Sequence, residues 1–173
     1  GTGGRMSKLQ VETISHTNNT TAVTIDSSGR MTQPSQPRFM VQLSSNTTVP
    51  NAHDQDWSVN TATWTERFDV GGCFASGLFT SPVAGVYHIT YQMYCNPSVG
   101  SYIGGGMNGT AITDNFGVND VWSFQAGGND TGFTHTVLVN CSDAGKTIQF
   151  GTYGNGSSTA RADGTWIHGY KIA

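Results

Sequence analysis

Charge is the scarcest ingredient of this chain. Asp, Glu, Lys and Arg make up 11% of its 173 residues and the formal net charge is -3, against about a quarter charged residues in an ordinary soluble domain. Its surface polarity must therefore come from Asn, Ser, Thr and Gly. With no basic patch to neutralise phosphates, nucleic acid is not an expected partner. Helix formers are nearly as rare: leucine occurs only at Leu9, Leu43, Leu78 and Leu138, and glutamate only at Glu12 and Glu66. The surplus of Thr, Val, Gly, Asn and aromatics reads as all-β. No apolar run approaches the roughly 18 residues of a membrane span, so no membrane insertion is expected, and no signal peptide is read before the domain.

Catalytic patterns are missing too. The sequence has no Gly-x-Ser-x-Gly, no P-loop and no His-Glu-x-x-His, and two glutamates leave little for a carboxylate pair, so the chain is not expected to be an enzyme. Cys73, Cys95 and Cys141 are odd in number and show no CxxC spacing. They read as small buried hydrophobes on strands, largely reduced, with one internal disulfide as the alternative. A domain near 150 residues buries roughly two thirds of its unfolded surface and does without a bridge. The histidines are scattered; His88, His135 and His168 fall on strands, as hydrogen-bonded or axis-facing groups rather than ligands.

What the sequence does contain is centred on Gly77 to Cys95, GLFTSPVAGVYHITYQMYC. Tyr87, Ile89, Tyr91 and Met93 alternate with His88, Thr90, Gln92 and Tyr94, the period of two of a strand with one buried face. Pro82 and Gly85 make Ser81 to Gly85 a tight reversal. The remaining strands are read at Pro37 to Leu43, in Thr61 to Phe79 with a bulge at Gly71-Gly72, at Tyr102 to Met107 ending in an Asn108-Gly109 hairpin turn, once or twice in Ala111 to Gln125, and at Phe133 to Cys141, Thr147 to Tyr153 and Thr165 to Ala173.

With FDVGGCF at Phe68 to Phe74 and TWIHGYKIA at the end, the central stretch resembles the C1q-like head domains of the complement C1q and tumour necrosis factor superfamily. The resemblance implies an all-β, antiparallel jelly-roll β-sandwich, preceded here by a short extended stalk segment. It also implies a homotrimer about a threefold axis. The strand face of His88, Thr90, Gln92 and Tyr94, too polar for a core and too aromatic for open solvent, suits that interface. Calcium near the apex is the cofactor the resemblance allows, with Asp54, Asp56, Asp130 and Asp163, and Asn129 beside them, as oxygen donors but no EF-hand spacing.

The N-terminal part divides the chain. Residues 1–5, GTGGR, read as an expression remnant, residues 6–35 as a stalk or attachment segment, and residues 36–173 as the head. SKLQVETI and VTIDSSGR resemble the leader of tailed-phage virion proteins. That favours a phage fibre or spike whose head binds a host-surface glycan or protein, located on the virion and attached through residues 6–35. A structural capsid or tail decoration protein and a secreted C1q-like recognition protein are the alternatives. If successive strands reverse direction, the loops at Ser44 to Asn60, Asn96 to Ser101, Ala126 to Gly132 and Gly154 to Gly164 gather at one apex. Trp57, Tyr102, Asn129, Asn155 and Arg161 are the binding residues expected there.

Overall fold

The computed structural model describes residues 10–19, 21–49, 52–56, 63–97, 102–118, 120–126, 131–154 and 158–173. The chain divides into two compact units between Gln36 and Pro37.

In the first unit β1 (Thr13–Ser15) pairs antiparallel with β2 (Thr21–Ile25), and β2 with β3 (Met31–Thr32). Asp26 builds the second turn: its carboxylate accepts from the backbone N–H of Ser28 and of Arg30, each at 2.9 Å, and from the Arg30 side chain at 2.7 Å. Ile14 lies opposite Val23 and Ile25 opposite Met31, so these apolar side chains share one face and Thr13, Thr24 and Thr32 the other. The segment expected to be extended is thus a small meander. Val23 and Ile25 lie in β2, Val11 precedes β1, and Leu9 is outside the described residues.

The second unit contains β4 (Arg38–Leu43), β5 (Thr47–Val49), β6 (Ala52–Asp56), β7 (Trp64–Val70), β8 (Phe74–Ala75), β9 (Leu78–Thr80), β10 (Gly85–Pro97) and β11 (Tyr102–Asn108). Then come α1 (Thr110–Phe116), β12 (Asp120–Ala126), β13 (Thr131–Cys141), β14 (Thr147–Gly154), β15 (Ser158–Ala160) and β16 (Trp166–Lys171). Among the described residues these strands form two antiparallel sheets. One sets β13, β10, β16, β4 and β7 side by side, with β15 and then β5 joined to the far end of β10; the other runs β12, β11, β14, β9, β8, with β6 also on β14. Strand β9 is followed by β10, β10 by β11, β12 by β13 and β13 by β14 in the opposite sheet. This is the crossing of a jelly roll, not a simple up-and-down course.

The alternation read in β10 is what closes the sandwich. Tyr87, Ile89, Tyr91, Met93 and Cys95 are all buried, with Phe39, Val41 and Leu43 of β4, Ile167 of β16, and Phe133, Val137 and Val139 of β13 beside them. From the other sheet come Phe79, Ile103, Met107, Ile148 and Phe150. Their rings interlock: Tyr91 meets Phe133 edge-on at 5.3 Å and Phe150 at 5.6 Å, and Phe39 stacks on Phe74 and Phe79 at 5.4 and 5.6 Å. Gly105 of β11 makes this possible, since a Cβ there would meet the Phe133 ring at 1.8 Å. The three cysteines are buried and free, as expected.

Three local expectations are corrected. There is no tight turn at Asn108-Gly109 and no strand at 111–116. Instead α1 links β11 to β12, buries Ala111 and Ile112, and ends on Gly117, whose left-handed conformation (φ 66°) lets its N–H reach the Thr113 carbonyl. The bulge lies at Arg67, skipped where Met40 pairs with Phe68 and Val41 with Glu66. Gly71 and Gly72 instead adopt positive φ in the link from β7 to β8, where the Asp69 carboxylate accepts from the N–H of Cys73 and Phe74 at 2.8 and 2.9 Å. Short strands also form inside stretches expected to be loops: β5 and β6 within Ser44 to Asn60, and β15 within Gly154 to Gly164.

Candidate functional site

Strand ends gather as reversal of direction requires. Residues at one end are tied together: Ser81 donates its hydroxyl to the Asp143 carbonyl at 3.1 Å and accepts from the Lys146 N–H at 3.0 Å, while Val86 bonds to Ala173 and Lys171 to Pro37. The opposite end collects Pro97, Tyr102, Ala126, Thr131, Gly154 and Ser158. Of the five binding residues expected there, Arg161 is described in full and Tyr102 by its place in β11, opposite Ala126. Trp57, Asn129 and Asn155 lie outside the described residues.

Arg161 reaches back onto the sheet rather than outward. Its guanidinium lies 5.1 Å from the centre of the Tyr94 ring and pairs with Asp163 at 2.9 Å, and its N–H donates to the Tyr94 carbonyl at 2.8 Å. Glycines flank the ring. A Cβ on Gly164 would come within 2.6 Å of the Tyr94 Cβ, and one on Gly132 within 2.6 Å of the Met93 carbonyl oxygen. An open groove of about 290 Å³ runs past Tyr94, lined by Gln92, Phe133 and Thr134. Asp163 is thereby engaged in an ion pair, Asp54 and Asp56 are placed only by their backbone in β6, and Asp130 is outside the described residues. Among the described residues no three metal-ligating side chains converge.

The expected interface face of β10 is half covered by its own sheet. Thr90 is buried and its hydroxyl is 3.0 Å from that of Thr136; Gln92 donates to the Gly164 carbonyl at 3.3 Å and accepts from Thr134 at 3.4 Å. His88 stacks on Tyr170 at 5.0 Å, with His168 6.2 Å away and Trp166 4.9 Å beyond that. The large exposed groups are on the flanking strands, where they were not expected: Leu138 of β13 is 57% exposed, Tyr170 of β16 45% and Phe68 of β7 44%. Cross-strand register joins them into rows, Leu138–His88–Tyr170–Arg38 and Thr136–Thr90–His168–Met40–Phe68. Alternation in RFMVQL and WIHGYK carried this signal, because Phe39, Val41 and Ile167 point inward and so leave Met40, His168 and Tyr170 on the outer side.

Beside this face, around the β13 edge, lies a wider groove of about 560 Å³ lined by His88, Phe116, Val121, His135, Val137 and Leu138. Further along the β13 edge the side-chain amide of Asn115 of α1 pairs with Asn140. That amide accepts from the Asn140 N–H at 2.8 Å and donates to the Asn140 carbonyl at 3.0 Å, as a neighbouring strand would.

Comparison with solved structures fits this architecture. The globular domain of zebrafish complement 1qA superposes with a TM-score of 0.56 at 11% identity, covering 80% of this chain and 98% of that one. Murine APRIL, in a crystal structure at pH 8.0, gives 0.56 at 11% identity, covering 79% and 99%. No protein-family model and no curated protein sequence matches the chain. The fold is that of the C1q/TNF-type globular domain, an antiparallel jelly-roll sandwich, and identities this low speak to the fold alone.

Proposed function

We propose that the chain is a homotrimeric virion fibre or spike protein whose head binds a host surface. The observation that carries the assembly is the outer face of the larger sheet. Leu138, Tyr170 and Phe68 stand exposed on it in register with His88, His168 and Met40, next to an apolar groove along β13. An exposed apolar surface of this kind marks an interaction site. A copy seated with Tyr170 and Phe68 of its face on the next copy's β13 groove makes a head-to-tail contact, which closes into a ring of three when each step turns the chain by a third of a revolution. The virion assignment rests on the leader resemblance of residues 6–35. The binding role rests on the loop-bearing end of the sandwich, with Arg161 and Tyr94 at its margin.

Light scattering of the full chain at micromolar concentration tests the assembly, with a trimer mass expected; a monomer mass sinks the reading. Labelled antibody against the head should decorate purified virions at the tips of projections. Labelling spread evenly over the capsid would make a structural decoration role the better account.

A further inference from the structure

Resting on the trimer reading above, we propose that the assembly is acid-sensitive. His88 and His168 form a histidine pair in the self-contact face that permits trimerisation while both rings are neutral and opposes it once either is charged.

Among the described residues, the pair sits where a proton finds no counter-charge. The rings are 6.2 Å apart, and the buried His88 Nδ1 has no hydrogen-bond partner. On the same side of the sheet β13 presents Thr134, Thr136, Leu138 and Asn140, none ionisable. Strand β16 adds Trp166 and Tyr170, β4 adds Arg38, Met40 and Gln42, and β7 adds Phe68, Val70 and the bulged Arg67. Glu66 and Asp69 of β7 lie across from Val41 and Phe39, which belong to the inward set, and Asp69 is occupied by two backbone N–H groups. In α1, Asp114 is held by Lys146 at 2.6 Å, and near Tyr94, Asp163 is held by Arg161. Along the groove His135 is a third imidazole, and Val121 is the β12 side chain described there. Among the described residues, the charged side chains facing the pair are therefore arginines.

The direction of the effect follows from burial. Burial first, and His88 second, hold His168 below its ordinary value of 6.5, and burial does the same at His135. A second copy over the face removes more water and favours the neutral form of His168 further. The separated chains therefore take up the proton at a higher pH than the assembled ones, at a point below 6.5, so the contact is intact above that window and lost as pH falls through it. One proton per chain, over three chains, weakens the trimer by a factor of about 10³ for each pH unit of descent.

Light scattering of the full chain at pH 7.5 and pH 5.5, beside a His88→Gln/His168→Gln double variant and with circular dichroism to check folding, tests this. Wild type should be a trimer at pH 7.5 and a folded monomer at pH 5.5, while the double variant, whatever its trimer affinity, should show the same trimer–monomer equilibrium at both. A wild-type trimer at both values overturns the inference and leaves the trimer reading standing; a monomer at pH 7.5 removes the trimer reading itself. Equal dissociation of the double variant overturns the assignment to this pair. Should that variant not fold, histidine ring-proton titration of the wild type decides: two midpoints that shift with protein concentration are expected, and midpoints independent of concentration overturn the proposal.

Discussion

The two faces of the larger sheet are built from alternate residues of the same strands, yet they are finished to different degrees. On the inner face, Phe39, Tyr87, Ile89, Tyr91 and Ile167 lose essentially all contact with solvent, and the Tyr87 hydroxyl finds the Val83 carbonyl at 2.8 Å. On the outer face the polar groups of β10 are paired within the chain, but Leu138, Tyr170 and Phe68 remain out in the open and His88 Nδ1 has no partner. The inner face needs only the opposite sheet. The outer face has the composition of an interface core, aromatic and aliphatic with few charges.

The largest expected effect is on the inner side. Phe150→Ala, which removes a fully buried ring packed on Tyr91 and Phe74, should lower unfolding free energy by about 3–5 kcal/mol in denaturant titration. Gly105→Ala should destabilise comparably by forcing the Phe133 ring aside. A loss below about 1 kcal/mol for both would mean that the sandwich is far looser than close packing requires.

Next in size is an effect that should separate the faces. Leu138→Asp places a charge on an exposed position of β13, where the isolated chain loses little, since exposed substitutions usually change stability by about 0.5 kcal/mol or less. In the proposed trimer the same carboxylate would be buried without a partner. The expected outcome is a folded monomer by light scattering with an unchanged circular dichroism spectrum. Retention of the trimer would remove this row from the contact.

Thiol chemistry distinguishes interior from surface without mutation. Burial pushes the thiols of Cys73 and Cys95 up to about 12, so at pH 8 their thiolate fraction is on the order of 10⁻⁴ and they should react slowly with a disulfide reagent in the native protein. Three thiols per chain should titrate after denaturation; one would reveal a bridge.

The inner face was the more legible in sequence because period-two alternation is local. Tyr87 to Met93 can be read off seven residues. The helix α1 was not legible: TAITDNF is rich in residues that favour strands, lacks a capping side chain at Gly109 and spans two turns. It persists because Ala111 and Ile112 enter the core and Asn115 bridges to Asn140, contacts that no local pattern announces. Strands β5 and β15 are three residues each, too short to show a period, and exist through pairing with each other and with β10. The surface rows were half legible. The parity of each strand was visible, but the register that sets His88 beside Tyr170 and Leu138 is a property of the assembled sheet.

The smallest expected effect on stability falls at the margin between the two faces. Arg161 lies over the Tyr94 ring and pairs with the largely exposed Asp163, contacts that together contribute no more than about 1 kcal/mol at such a site. Arg161→Ala should therefore leave the melting temperature within a few degrees of wild type. Its effect on binding should be larger. A weakly charged surface rich in Asn, Thr and Gly offers little long-range steering, so on the proposed reading affinity for a host glycan would come from stacking and short hydrogen bonds, and the proposed trimer would multiply a weak site threefold. Adsorption of the variant trimer to host cells, measured beside Trp57→Ala, should fall for both. Normal adsorption of both variants would shift the reading from receptor binding to structural decoration, because the end of the sandwich that carries the long loops would then have no measurable contact to make.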